Sequence, residues 1–219
     1  MAKLVWDESG KRYYETGVSK TVLYPQDSNG LYPLGVAWNG VSAITNSPSG
    51  AEATPVYADN TKYLDLKSTE EFGCSIEAYT YPAEFGECDG SKTLVMGASI
   101  SQQPRKSFGL CYRTEKGNDT LGVDYGYTLH LIYGASASPS EKAYNTISDN
   151  PEAITLSWEV TTIPVSVTGF KPTAHLEIDS KTANATRLAA LELILYGDTS
   201  VTPRLPLPDE IKTLLTVAG

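Results

Sequence analysis

Apolar and polar residues alternate with a period of two along much of this chain, in runs bounded by Gly, Pro, Asn and Asp. That is the pattern of strands that bury one face. The clearest run is Ala153 to Thr162, where Ile154, Leu156, Trp158 and Val160 share one face and Thr155, Ser157, Glu159 and Thr161 the other. A one-residue slip would expose four large apolar groups, so its register is strongly specified. A second run is Glu70 to Tyr81, with Phe72, Cys74, Ile76 and Ala78 opposite Glu71, Ser75, Glu77 and Tyr79. Phe108 to Glu115 and Tyr127 to Tyr133 read as further strands. Shorter ones are predicted over Arg12 to Thr16, Thr21 to Tyr24, Gly35 to Thr45 and Lys62 to Lys67. The fold class this implies is mostly β.

Helical spacing occurs only near the C-terminus, where Leu188, Leu191 and Leu195 recur at intervals of three and four beside Ala185 and Ala189. Thr182 or Asn184 suits the start of this helix and Gly197 its end. Beyond the stiff segment Pro203 to Pro208 a second, short helix is predicted. Pro208 fits a first-turn position, Asp209 and Glu210 fit the positive end, and Ile211, Leu214 and Leu215 form a stripe that needs a partner. The stripe either packs on its own core or serves as an arm on a neighbouring subunit. The division this gives is a main domain over residues 1–202 and a C-terminal arm over 203–219. Asn46 to Asn60 and Gly134 to Pro151 read as long connections, and loops of that length are functional or disordered as a rule. The small and polar residues of the second are expected to order mainly through contacts with neighbouring molecules.

A length of 219 residues suffices for one substantial core, and 41% apolar with 20% charged residues is ordinary globular usage. The formal net charge of -9, with no run of four basic residues, argues against tight binding of nucleic acid or anionic membrane surfaces. Three widely spaced cysteines, Cys74, Cys88 and Cys111, fit neither a disulfide framework nor a paired zinc site, and reduced thiols are expected. The first ten residues hold an apolar patch of only Leu4, Val5 and Trp6, too short for a signal-peptide core. No stretch approaches a membrane span.

Residues with chemistry in them are sparse. His130 and His175 are the only histidines, and neither has a Cys or a second His at ligand spacing. His175 and Glu177 share a strand face, a loose likeness to an acid-base pair. Gly97 to Ser101 begins like a nucleophile elbow but ends in Ser101, with no helical pattern after it. Gly122 to Gly126 lacks the context of a phosphate cradle and reads as a turn. No cofactor and no enzyme activity are expected. Fourteen tyrosines against four phenylalanines favour interfaces and half-wet surfaces, including sugar-binding platforms. A β-sandwich glycan-binding module is therefore the alternative reading.

Several segments in order are Gly10-Lys-Arg-Tyr-Tyr-Glu-Thr-Gly17, Leu31-Tyr-Pro-Leu-Gly-Val-Ala-Trp-Asn-Gly-Val-Ser42, Tyr57-Ala-Asp-Asn-Thr-Lys-Tyr63 and Tyr133-Gly-Ala-Ser-Ala-Ser-Pro-Ser-Glu-Lys142. With Asn150-Pro-Glu-Ala-Ile154, Ser157-Trp-Glu159 and Leu205-Pro-Leu-Pro-Asp-Glu210, the chain resembles the major tail proteins that form the tail tubes of long-tailed phages. The resemblance implies an antiparallel β-sandwich or partly open barrel with one flanking α-helix and a short C-terminal helix. It also implies hexameric rings stacked into a tube in the virion tail, assembled in the host cytoplasm. The partners implied are other copies of the chain and the tape measure, terminator and distal tail proteins, with DNA passing through the lumen without tight binding. Candidate acidic residues facing such a lumen are Glu71, Glu77 and Glu159. Candidate contacts between subunits or rings are Tyr13, Tyr14, Ser136, Pro139, Tyr144, Ile211, Leu214 and Leu215.

Overall fold

The computed structural model describes residues 3–147, 149 and 152–216. In chain order its strands are β1 (Tyr13–Pro25), β2 (Val36–Ala37), β3 (Val41–Asn46), β4 (Ser49–Gly50), β5 (Ala53–Ala58), β6 (Thr61–Lys67), β7 (Glu70–Glu71) and β8 (Gly73–Ala78). After the single turn α1 (Phe85–Cys88) come β9 (Lys92–Val95), β10 (Ala98–Ile100), β11 (Phe108–Asn118), β12 (Gly122–Ala137), β13 (Leu156–Thr162) and β14 (His175–Asp179). The helices α2 (Ala185–Tyr196) and α3 (Pro208–Leu215) close the chain. The fold is mostly β, with antiparallel pairing throughout.

One large sheet runs β2-β1-β11-β12-β13-β8-β3, and β14 also pairs with β12. The sixteen-residue β12 serves two partners along one edge: β14 over Thr128 to Ile132, then β13 over Ala135 to Ala137. The sheet forks at this point. Gly134 marks the fork, with φ at +58° and the Ile163 carbonyl oxygen lying where a Cβ would go, so only glycine fits. Past the fork, β13, β8 and β3 fold over to make a second layer.

Alternation along β11 and β12 then supplies two cores. Leu110, Tyr112 and Ile132 point into the first, against Ile76, Trp158 and Val160 of the folded-over layer. Cys111, Leu129, Leu131 and Tyr133 point the other way, against Leu188, Leu191 and Leu195 of α2 and Ile211 of α3. Asn184 caps α2, its side-chain oxygen accepting from the Arg187 N–H at 3.2 Å, and Gly197 ends it at φ +70°. Cys74 and Cys88 lie in the first core and Cys111 in the second, all as free thiols. Burial pushes all three up to about 12.

The predicted strands reappear with altered limits. The runs Arg12 to Thr16 and Thr21 to Tyr24 merge into one strand, β1, which starts at Tyr13 and whose register on β11 shifts twice. The run at Ala153 starts as a strand only at Leu156, and Ile154 is exposed. Gly122 to Gly126 opens β12; the turn lies just before it. The connection expected over Asn46 to Asn60 instead contains β4 and β5. Asp59 and Asn60, at φ +49° and +61°, make the two-residue turn into β6.

The C-terminal stripe is satisfied within its own chain. Ile211 is buried in the second core, and Leu214 and Leu215 pack against that core. The Arg204 N–H donates to the Ile194 carbonyl, Leu205 bridges to Tyr32, and Arg187 donates to the Leu214 carbonyl. Residues 203–216 are thus built into the main core and do not form a separate arm. A buried Ile or Leu stabilises by about 1.5 to 3 kcal/mol, which favours this nearby partner. Residues 217–219 lie outside the described residues.

The segment from Gly134 also begins differently from expectation, since Ser136 pairs with Thr161 inside β12. Further on, Lys142 donates to the carboxylate of Asp89 at 2.5 Å and lies 5.0 Å from the centre of the Tyr81 ring. Asp89 is 7% exposed and also faces Arg105 at 3.4 Å. This part of the segment is anchored to its own chain; Ser148, Asn150 and Pro151 lie outside the described residues. Replacing Asp89 with Asn leaves two cations around a neutral amide in a mostly buried site. We expect a loss of about 2 to 4 kcal/mol, below the upper range for breaking buried pairs because both cations keep some solvent. Urea denaturation checks this, and a loss under about 0.5 kcal/mol would show that the anchor is unimportant.

Candidate assembly surfaces and a histidine cluster

The first half of the forked sheet, β1-β11-β12-β14, has different neighbours on its two faces. Helices α2 and α3 cover one. The pairings Glu15 with Lys116, Thr114 with Thr128 and Asp179, and Tyr112 with His130 and Glu177 place these residues together on the other. Toward Leu110, Tyr112 and Ile132 that face is covered by the folded-over layer; its remainder is polar and carries three carboxylates, Glu15, Glu177 and Asp179, against one ammonium, Lys116, which pairs with Asp179 at 2.5 Å. Glu15 accepts from Thr128 at 2.6 Å.

Both outer edges of this half-sheet are open among the described residues. β14 pairs only with β12, and β1 has a partner beyond β11 only from Thr21 to Leu23, where β2 and the Trp38 N–H attach. The bonds from the Ser180 N–H to the Tyr127 carbonyl and from the Tyr133 N–H to the Ala174 carbonyl fix the phase of the β14 ladder. By alternation, His175, Glu177 and Asp179 then point their backbone groups away from β12. The Thr173 hydroxyl bonds the N–H and carbonyl of His175, and the Ala183 N–H donates to the Asp179 carbonyl at 3.0 Å, so Glu177 is the residue of β14 that presents its full backbone pair to the open side. Open edges of this kind template further pairing.

Two hairpins stand apart from both cores. In β5-β6, Val56 lies opposite Leu64 and Thr54 opposite Leu66, giving one apolar face. Leu64 and Leu66 are 40% and 59% exposed, and Tyr57 and Tyr63 are more so. In β9-β10, Leu94, Val95 and the turn residue Met96 are exposed, and Gly97 sits in this turn, not at a strand-to-helix elbow. An isolated two-stranded hairpin is marginal in water. The apolar face of β5-β6 has no partner within its own described chain.

The residues singled out from the sequence fall in different places. Tyr13 and Tyr14 are exposed at the start of the open β1 edge, with the Tyr13 ring 5.1 Å from that of Tyr125. Pro139 and Tyr144 are exposed, whereas Ser136 is half-buried within the sheet and Ile211 is fully buried. Of the acidic candidates, Glu77 and Glu159 are exposed diagonal neighbours on the outward face of β8-β13, and Glu71 sits in the small β4-β7 ladder. They do not share the polar face of the half-sheet.

Sequence spacing concealed one cluster. The cross-strand register sets His130 opposite Glu177 and brings His175, one pair along the same face, within reach. His130 Nδ1 lies 3.3 Å from His175 Nε2, and Glu177 Oε1 lies 3.5 Å from the first and 3.9 Å from the second. The rings are held in a stack: Tyr112 lies parallel to His130 at 4.5 Å and Phe72 on His175 at 4.5 Å. Burial lowers the pKa of both histidines, that of His175 to about 4, so both are neutral at pH 7. Two neutral imidazoles and a carboxylate form a donor set that can hold a metal ion.

Compared with protein-family models and with curated proteins, the chain finds no match.

Proposed function

We propose that this chain is a structural subunit that joins copies of itself head to tail into rings, stacked as the tail tube of a long-tailed phage. The observation that carries this reading is the half-sheet β1-β11-β12-β14, polar where the folded-over layer leaves it uncovered, backed by helices on its other face, and with no strand among the described residues beyond β14 or beyond the first half of β1. Its four strands alternate in direction. A β14 edge can therefore pair antiparallel with the β1 edge of the next copy and continue the same pattern indefinitely. Such a heterologous contact makes a ring when its rotation closes, and closure removes the free edges of the half-sheet. The hairpins β5-β6 and β9-β10 supply further contact surface of the kind that holds rings together.

Placing the polar face inward would line the channel with Glu15, Glu177 and Asp179, in place of the acidic residues first chosen from the sequence. Carboxylates around a narrow channel repel DNA phosphates from every wall, and the absence of basic clusters avoids the counterion release that drives binding. The partners in this reading are further copies of the chain, other tail proteins and DNA in transit. No helix among the described residues is long and apolar enough to cross a membrane.

Negative-stain electron microscopy of the concentrated protein tests the reading. Rings or tubes are expected. Monodisperse single chains at every concentration, with glycan-dependent shifts, would favour the sugar-binding alternative.

A further inference from the structure

We infer that His130, His175 and Glu177 form a binding site for one divalent transition-metal ion of the zinc class, bridging β12 and β14. Zinc bonds to imidazole nitrogen and carboxylate oxygen are about 2.0 to 2.2 Å long, so tetrahedral ligands lie roughly 3.3 to 3.5 Å apart. Two of the three separations, at 3.3 and 3.5 Å, have this spacing, and the third, at 3.9 Å, closes with a small movement of the carboxylate. The ligands come from neighbouring strands of one antiparallel sheet, so the backbone already sets their spacing.

An outer contact sets the tautomer of one ligand. The far nitrogen of His130, Nε2, lies 3.0 Å from Thr114 Oγ1, and that hydroxyl lies 3.4 Å from Glu15 Oε1. With Nε2–H donating to Thr114 and Thr114 donating to Glu15, the lone pair of His130 is left on Nδ1, facing the cluster. The stacks with Tyr112 and Phe72 restrict both rings. Glu177 is the one ligand with substantial exposure, 58% of its side chain, and it leaves an entry path and an open fourth position on the polar face. The charged groups on that face are Glu15, Glu177 and Asp179 with Lys116, a balance that attracts cations.

Without metal, Nδ1 and Nε2 face one another across a shared hydrogen, as the ring-centre separation of 5.5 Å shows when set beside the 3.3 Å between nitrogens. The ion takes the place of that hydrogen. With bonds of about 2.05 Å, each ring has to turn by roughly 35° to aim at a common point.

Untagged protein, stripped with a chelator and dialysed, is to be titrated with Co2+ and then Zn2+. One Co2+ per chain is expected, with the intense visible absorption of a four- or five-coordinate ion, and Zn2+ should displace it. Glu177→Gln, at an exposed position, should fold normally and weaken uptake at least about tenfold, the loss that even an outer-contact change can produce. His175→Ala should abolish it. Failure of the intact chain to take up stoichiometric metal would overturn the proposal, as would wild-type uptake by folded Glu177→Gln. If His175→Ala does not fold, Glu177→Gln decides alone. Metal uptake by the isolated chain is read independently of ring assembly.

Discussion

A chain in which residues 52–68 are replaced by a short glycine turn is expected to fold and melt as the intact chain does, yet to form no tubes. The expectation rests on how the hairpin is attached. β4 and β7 pair at its base, Ser49 with Glu71 and Gly50 with Glu70, so the chain ends are already side by side without β5 and β6. The excised strands contribute nothing to either core: Leu64 and Leu66 face solvent, and β6 is exposed along its whole length. Changes confined to such a surface fall within about 0.5 kcal/mol, or roughly 2 °C in a chain of this size. The apolar face of Val56, Leu64 and Leu66 is a poor structure to leave in water alone, which is why a neighbouring copy is its natural partner in the proposed assembly. Circular dichroism and thermal melting establish the fold of the variant, and electron microscopy establishes assembly. Normal tubes from the shortened chain would remove the hairpin from the contact, and a large fall in melting temperature would show that it belongs to the core.

The legible parts of this protein are those in which local pattern and tertiary burial agree. Leu156, Trp158 and Val160 alternate strictly with polar residues and are buried, and Leu188, Leu191 and Leu195 keep helical spacing and face the second core. β5 escaped notice because both its faces are wet, so no alternation marks it, and the Asp59-Asn60 turn was its only local signal. The Ile211 stripe showed that a partner was needed but not whose, since a neighbour and the chain's own core present the same apolar surface. The pairing of His130 with Glu177 depends on register between strands about 45 residues apart, which single-strand periodicity does not contain. The open edges are likewise a property of strand order. A fork at Gly134 divides β12 between two partners, and only that division leaves β14 without a strand on its far side.

Truncating Trp158 to Ala is expected to cost about 3 to 5 kcal/mol, the range for removing a large aromatic group from a core that cannot collapse around the gap. Trp158 is fully buried between the layers, with the rings of Trp38, Phe85 and Tyr81 at 5.7, 5.2 and 5.6 Å, all edge-on. Its indole Nε1–H has no hydrogen-bond partner among the described residues. A buried donor left unpaired costs about 1 to 3 kcal/mol. Trp158→Phe discards that donor while keeping an aromatic face for the three neighbours, so relief of the unpaired group offsets much of the smaller cavity. The Phe variant should therefore lie within about 1.5 kcal/mol of the intact protein, with the Ala variant well below both. Urea denaturation with an unchanged m value reads the difference directly. If Phe proves as damaging as Ala, then the indole N–H is satisfied in solution and the argument from its isolation fails. If Ala costs less than about 1 kcal/mol, the first core does not depend on Trp158 for its packing.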